Sequence, residues 1–374
     1  MAMYNKCLFL TNHQLDASNG ISKKIESQVS AISKLGIVTY LLSYLEVDKS
    51  QVALINREHF FSLGQKTSRL IYKHYQFYGK LIEFVDDEGI DCIYIRYTQF
   101  VDLYFLWFLK SAHQNGRTIF MEIPTYPYDG EFPSNSLKNR IIKWKDRVLR
   151  RYFHCFVDKI VTFSTDDEIF GIPCINISNA VDESKITMIK QRQIVKNTIN
   201  MIGVANLNFW HGFDRIIEGL RNYYADRHDY VVKFYIVGDG NPDVCQLLNE
   251  LVSSYKLEEF VLMLGPKSGN DLDEIFNMAH IAIGSLGSHR KNIMETKTLK
   301  NVEYAMRGLP IVYAEKNNDF DRMAYVYKVP ADESPIDIRD IVDFVINHSS
   351  DPIAIRKTVS HLTWDNQMRN VFMA

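Results

Sequence analysis

Glu295 and Glu303 lie eight positions apart in "HRKNIMETKTLKNVEYAMRGLPIVYA", residues 289–314, across what reads as the start of a short helix. Thr298 is a suitable N-cap, and Gly308 followed by Pro310 ends the helix before the apolar run 309–313. His289, Arg290, Lys291, Lys297 and Lys300 crowd the same stretch. The amides at such a helix start form a partial positive site suited to a phosphate, and Arg290 and Lys300 would add full charges. Carboxylates repel phosphate, so the two glutamates are expected to face neutral hydroxyls instead. Hydroxyl-bearing sugars on either side of a diphosphate describe a nucleotide-sugar. The plainer reading is a surface helix on which Lys300 and Glu303 form an exposed pair worth a few tenths of a kcal/mol.

Those residues need elements to hold them. Short apolar runs at 7–10, 38–42, 92–95, 119–122, 160–163 and 175–177 form one series of expected strands. Runs at 201–204, 232–237, 261–264, 281–283 and 311–313 form a second. Amphipathic stretches such as "SKKIESQVSAISKLG", "FDRIIEGLRNYYADR" and "DVCQLLNELVSSYKL" separate them. Strand–helix alternation predicts parallel sheets covered on both faces, and two series predict an α/β protein of two facing Rossmann-like domains with a ligand cleft between them. The expected domains are 1–182 and 183–355. The polar stretch 182–197 is the expected linker. The loops "GVANLNFWHGFDR", "GDGNPD", "GPKSGN" and "SLGSHRKNIME" each follow a strand of the second series, which marks that half as the ligand-holding one.

Composition narrows the classes. The chain has 374 residues, 46% of them hydrophobic, and a net charge of −2, which gives no general attraction to nucleic acid. Five cysteines stand singly, without metal-ligand spacing, which fits a reducing, cytoplasmic setting. The longest membrane-like run, "LYFLWFL", is far short of the ~20 residues of a span. A dinucleotide-dependent oxidoreductase would want GxGxxG after the first strand, and "FLTNHQLDASNGIS" lacks it. No paired acids with metal-binding surroundings stand out, so neither a metal nor another cofactor is expected.

Five segments, in order, resemble the retaining family 4 glycosyltransferases of the GT-B fold. "ETKTLKNVE" matches the E-x7-E pattern, followed by "YAMRGLPIVYA". "NGISKKIESQVSAISKLG" resembles the family's N-terminal glycine loop and first helix, and "TFSTDDEIFGIPCINISNAVD" the stretch before the linker. "YIVGDGNPD" and "VLMLGPKSGNDLDEIFNMAHIAI" resemble the G-x-G-P and F-x-G segments. "FWHGFDR" and "LKNVEY" are most similar to bacterial polysaccharide-assembly members. The resemblance implies that Glu303 binds ribose hydroxyls, that Glu295 contacts the donor sugar, that Gly265, Pro266 and Lys267 face the base, and that Leu299 lies against the donor. It also implies that 1–182 is acceptor-binding, that 183–355 is nucleotide-sugar-binding, and that 356–374 is a helix returning to the first domain. The family places Arg and Lys in the first loop of the second domain, where this chain has Asn206 and His211. These two are read as hydrogen-bond donors, with the diphosphate shifted to Arg290 and Lys300. Same-architecture alternatives are a nucleotide-sugar 2-epimerase and a non-catalytic sugar-nucleotide-binding partner.

On the acceptor side, Gly20 in "NGIS" either places amides beside the transferred sugar or starts a helix. Glu122 in "FMEIPTYPYDGEF" either meets the acceptor or caps a turn. The stretch 136–156 carries Lys138, Arg140, Lys143, Lys145, Arg147, Arg150 and Arg151 against Asp146 alone, with Leu137, Ile141, Trp144, Val148 and Tyr152 at helical spacing. Such a helix either lies on an anionic membrane surface or packs on the first domain. The first reading suits a lipid-linked glycan acceptor and a peripheral place on the inner face of the plasma membrane.

Overall fold

The computed structural model describes residues 3–16, 20–48, 50–64, 70–128, 137–190, 194–348 and 351–373. The chain divides into two compact units, Met1–Ser178 with Trp364–Ala374, and Asn179–Thr363. The divisions thus fall after Ser178 and before Trp364, where the sequence placed them after residues 182 and 355.

In the first unit the order is β1 (Lys6–Gln14), α1 (Gly20–Lys34), β2 (Val38–Val47), β3 (Ser50–Ile55), β4 (Glu58–Gly64), α2 (Leu70–Asp87), β5 (Cys92–Arg96), α3 (Leu103–Gln114), β6 (Thr118–Ile123), α4 (Leu137–Leu149), β7 (Lys159–Thr162), β8 (Glu168–Ile169) and β9 (Ile172–Asn176). Among the described residues these strands form one sheet, β4-β3-β2-β1-β5-β6-β7-β9-β8. The pairs from β2 to β7 and on to β9 are parallel, and the outer β3, β4 and β8 run antiparallel to their neighbours. Alternation along β1 explains the layering. Leu8 and Leu10 face a core shared with Phe77, Phe105 and Phe108, while Phe9 stacks on Tyr94 on the other face, 4.9 Å between ring centroids.

The second unit runs β10 (Thr198–Val204), α5 (Phe213–Ala225), β11 (Val231–Val237), α6 (Pro242–Tyr255), β12 (Val261–Met263), α7 (Gly269–Phe276), β13 (Ile281–Ile283), α8 (Leu299–Arg307), β14 (Ile311–Tyr313), β15 (Val326–Lys328), α9 (Ile338–Asn347) and α10 (Pro352–Thr358). Its sheet, β12-β11-β10-β13-β14-β15, is parallel throughout. Side chains along each strand divide between two cores. Met201, Phe234, Ile281 and Ile283 lie with α5, α6 and α9, while Ile202, Val237 and Ala282 lie with α7, α8 and α10. A parallel sheet buried on both faces needs this near-continuous apolar sequence. The last helix, α11 (Trp364–Phe372), belongs to the first unit and packs on α1, where Lys34 and Asp365 pair at 2.9 Å.

Strand order in the second unit reverses between β10 and β13, and the loops that leave the carboxyl ends of those strands make the natural ligand position of this fold.

Candidate functional site

Glycines set the loop geometry at that edge. Gly212 has φ +65°, and a Cβ there would come within 2.8 Å of the Gly287 nitrogen, so only glycine lets the loop after β10 lie against the loop after β13. Leu286 N–H then donates to the His211 carbonyl at 3.0 Å and Gly287 N–H to that of Trp210 at 3.2 Å. In the "GDG" turn a Cβ on Gly238 would lie 1.9 Å from the Ala205 oxygen. That turn is therefore a packing device joining the loops after β10 and β11.

His211 is buried, and its Nδ1 accepts the Asn208 N–H at 3.0 Å. The imidazole proton consequently sits on Nε2, leaving that atom a donor. Burial, with help from the Lys300 and Lys291 charges, pushes its pKa down to about 2, so the ring is neutral throughout the physiological range. Asn206 is exposed beside Gly240. Leu207, Phe209, His211, Phe213, Leu247 and Arg290 line a cavity of about 30 Å³, the size of one water.

Arg290 is not a free cation. It donates from Nε to Glu333 at 3.0 Å, from Nη1 to the Phe209 carbonyl at 2.7 Å and Asp214 at 3.0 Å, and from Nη2 to Asp214 at 2.7 Å and Glu333 at 2.5 Å. All its N–H groups have protein acceptors. The hydrogen bonds it donates to Glu333 and Asp214 raise its pKa, and the bond from Arg290 holds Glu333 down to about 2. A diphosphate could recruit Arg290 only by displacing a carboxylate. In this structure its role is to clamp two loops to α5.

Thr298 stands at the N-cap of α8 with extended backbone, and its hydroxyl makes no capping bond. Gly308 ends the helix at φ +86°. Glu303 does not pair with Lys300. It accepts from Arg307 Nε at 3.2 Å, one turn on, and its side chain remains 28% exposed. Arg307 is buried beneath it, bonded to Asp273 at 2.6 Å and lying over the Phe276 ring. Glu295 accepts from Lys316 at 3.0 Å and from Asn318 at 2.9 Å. Lys300 turns inward instead: its Nζ is shut off from solvent, without a hydrogen-bond partner among the described residues, 5.8 Å from the Phe213 ring centroid. Leu299 packs on the core beneath α8. Gly265 has φ +65° and accepts from Gly238 N–H at 2.8 Å, leaving Pro266 and Lys267 exposed at the end of β12. Arg290 reaches the loop after β10 through the Phe209 carbonyl and Lys300 lies near Phe213 and His211, whereas Glu295 bonds to the segment after β14 and Glu303 to α8 itself. The sequence did not single out Glu315, which follows β14 and is 1% exposed. Position after a strand was its only signal.

In the first unit Glu122 is neither a turn cap nor solvent-facing. It is fully buried near the end of β6, accepting from Gln28 and Tyr94 at 2.6 Å each and from Arg96, with Lys24 Nζ at 3.5 Å. Burial alone would raise its pKa, but Lys24, Arg96 and the two neutral donors outweigh it and hold it to about 2. Its acceptor-side reading is corrected accordingly: Glu122 is the charge centre of a closed network. Gly20 opens α1, exposed, and among the described residues nothing lies within 4 Å of where a Cβ would be.

The basic stretch forms α4 and a 3₁₀ turn, Arg150–Cys155. Its apolar stripe points outward, with Leu137 73%, Trp144 68% and Ile141 55% exposed, and Val148 and Tyr152 exposed beside them. The helix is held instead by Asp146, buried between Tyr97, Tyr128 and Arg150. Arg147, Arg150, Arg151 and Phe170 line a cavity of about 450 Å³. No helix among the described residues is long and apolar enough to cross a membrane. Among the same residues, no three His, Cys, Asp or Glu side chains gather as they would around a metal ion.

No protein-family model matches the chain, and no curated protein sequence matches it. Solved structures do. A glycosyltransferase from Rickettsia africae superposes with TM-score 0.68 at 12% identity, covering 99% of this chain and 97% of that one. Anabaena HepE, solved with UDP, gives 0.64 at 12% identity over 99% of both chains. The lipopolysaccharide outer core galactosyltransferase WaaB gives 0.62 at 13% identity over 98% of both. At such identities the likeness shows the fold, which is the GT-B arrangement of two Rossmann-like domains.

Proposed function

We propose that this chain is a glycosyltransferase that moves a sugar from a nucleotide-sugar to a glycan or lipid-linked glycan acceptor, retaining the anomeric configuration and using no metal ion. The observation that carries the reading is Glu303: a partly open carboxylate one turn into a helix whose N-terminus lies at the carboxyl edge of a parallel sheet. The GT-B fold and the ordered family 4 motifs support it.

In this reading Glu303 accepts the ribose hydroxyls and the exposed loop of Gly265, Pro266 and Lys267 meets the base. The diphosphate lies on the α8 amides, and Glu295 exchanges its Lys316 and Asn318 partners for hydroxyls of the donor sugar. Bond breaking throws charge onto the diphosphate, so amides and cations there act more strongly on the transition state than on the bound donor. Neutral His211 contributes an Nε2–H rather than a charge. With Arg290 occupied, Lys300 is the cation left for the leaving group.

The outward apolar stripe and basic flanks of α4 support docking on an anionic membrane surface, which suits a lipid-linked acceptor, a peripheral location on the inner face of the plasma membrane, and a part in bacterial cell-surface polysaccharide assembly. The test is turnover of UDP-, GDP-, ADP- and dTDP-sugars with the product anomer read by NMR, with and without EDTA. Retention with undiminished activity in EDTA is expected. An inverted anomer overturns the retaining assignment, and loss of activity restored by Mg²⁺ or Mn²⁺ overturns the metal-free one.

A further inference from the structure

The turn between β8 and β9 is two residues long, Phe170-Gly171, since Ile169 pairs with Ile172 across it. Both residues have positive φ, +54° and +79°, the geometry of a type I′ turn, in which Asn-Gly is the favoured pair. A phenylalanine is out of place there. Its side chain makes the left-handed conformation costly, and residues kept in such conformations gather at ligand clamps and active sites. The ring shows what the turn gains. Its centroid lies 4.8 Å from the Arg150 guanidinium carbon, and its edge meets Tyr126 and Tyr128.

Arg150 is held in one orientation as a result. Its guanidinium lies against the Phe170 and Tyr128 rings, the second at 5.2 Å, while Nη1 donates to the buried Asp146 at 3.2 Å. Arg147 and Arg151, both exposed, join Arg150 and Phe170 in lining the cavity of about 450 Å³. Among the described residues three of its four lining side chains are therefore guanidiniums. Such forks match phosphate oxygens two at a time. A terminal phosphate offers three oxygens and up to two charges, where a diester offers two oxygens and one charge. The volume is that of a small-molecule site, room for a headgroup rather than a single ion.

What lies beside the cavity is apolar. Trp144 precedes Arg147 by three positions and Val148 precedes Arg151 by three, so the two rows run side by side on the helical surface. Trp144 is 68% exposed, and Val148 and Tyr152 are exposed with it. A cationic cavity bordered by an outward apolar row fits an amphiphile with a phosphate at its polar end. We propose that the cavity between α4 and the β8–β9 turn is a headgroup site, which takes the terminal phosphate of one membrane lipid while the lipid's chains lie along the outward face of α4. This rests on the membrane docking of α4 proposed above and adds to it a discrete, chemically selective site.

The experiment is sedimentation of the full chain with phosphatidylcholine vesicles that carry one of two anionic lipids at equal surface charge. Phosphatidic acid has a terminal phosphate, and phosphatidylglycerol a diester. A preference of about tenfold for phosphatidic acid is expected, the worth of a charge-assisted hydrogen bond, and it should persist at raised salt, which screens the general attraction. Arg151→Gln and Arg147→Gln each abolish the preference. Arg140→Gln, the same loss of charge on α4 but outside the cavity lining, weakens binding to both vesicles and keeps it. Thermal unfolding confirms that the variants fold. Glycerol 3-phosphate displaces the vesicles far less readily than a short-chain phosphatidic acid. Equal sedimentation with both lipids, or a preference that survives in Arg151→Gln and Arg147→Gln, overturns the headgroup site while leaving membrane docking intact. Displacement by glycerol 3-phosphate as readily as by the short-chain lipid overturns the lipid assignment in favour of a free phosphate. No sedimentation with either vesicle overturns the site and the docking together.

Discussion

Glu303 is the side chain on which the donor reading can be probed most simply, because Arg307, its only hydrogen-bond partner among the described residues, is also held by Asp273. Glu303→Ala is expected to weaken nucleoside diphosphate binding by about 1.5–3 kcal/mol, the usual worth of hydrogen bonds to a charged group. Equal affinity by calorimetry would remove the residue from the site. Arg290→Ala should behave differently. It strands Asp214 and Glu333 and should lower stability by about 1–3 kcal/mol, with a smaller effect on nucleotide affinity than Lys300→Met. A melting temperature equal to the wild type would contradict the clamp. Glu122→Gln leaves Lys24 and Arg96 without their counter-charge and should cost about 3–5 kcal/mol. The folded pKa of Glu122 lies below its ordinary 4.5, at about 2. Its stabilisation is therefore complete above 4.5 and is lost as pH falls through about 2. Acid titration of the wild type should show this loss and that of Glu122→Gln should not. The two glutamates and the helix between them were legible because their spacing is local. Arg290's partners lie 76 and 43 positions away, and no local pattern encodes such pairings.

At the scale of elements, every strand read from an apolar run is present, and α8 begins and ends where its cap and glycine place it. The hairpin of β3 and β4 was not read. Its two-residue turn is Asn56-Arg57, with φ +50° and +71°, the geometry that Asn-Gly normally signals. An arginine in that second position hides the turn. β8 is only two residues long, and β15, Val-Tyr-Lys, is half-buried and ends on a charge, so neither shows as an apolar run. α4 illustrates a different limit: helical spacing identified its apolar face but not whether that face turns inward. It turns outward, because Asp146 takes the buried position. Pelleting with anionic vesicles at low ionic strength should therefore recover the protein, less so at high salt. The double change Arg147→Gln and Trp144→Ser should reduce it several-fold while leaving the melting temperature close to wild type. Equal pelleting of the two proteins would make α4 a structural helix only.

For the whole molecule, alternation of strands and helices was enough to read two Rossmann-like domains, because a parallel sheet covered on both faces writes itself as repeated apolar runs. The edges of the two units were less legible. Ser178 N–H bonds to Gln367 at 2.9 Å and Val181 pairs with Thr363, so both divisions depend on contacts between segments far apart in sequence. The central claim concerns the second unit as a nucleotide-sugar site. Its most direct test is the melting temperature of wild type and Glu303→Ala with UDP-, GDP-, ADP- and dTDP-sugars in excess, since a ligand that binds only the native state raises it. The account predicts that one nucleotide class raises the wild-type melting temperature and that Glu303→Ala loses most of that rise. No rise with any of the four, or an equal rise in both proteins, would contradict it.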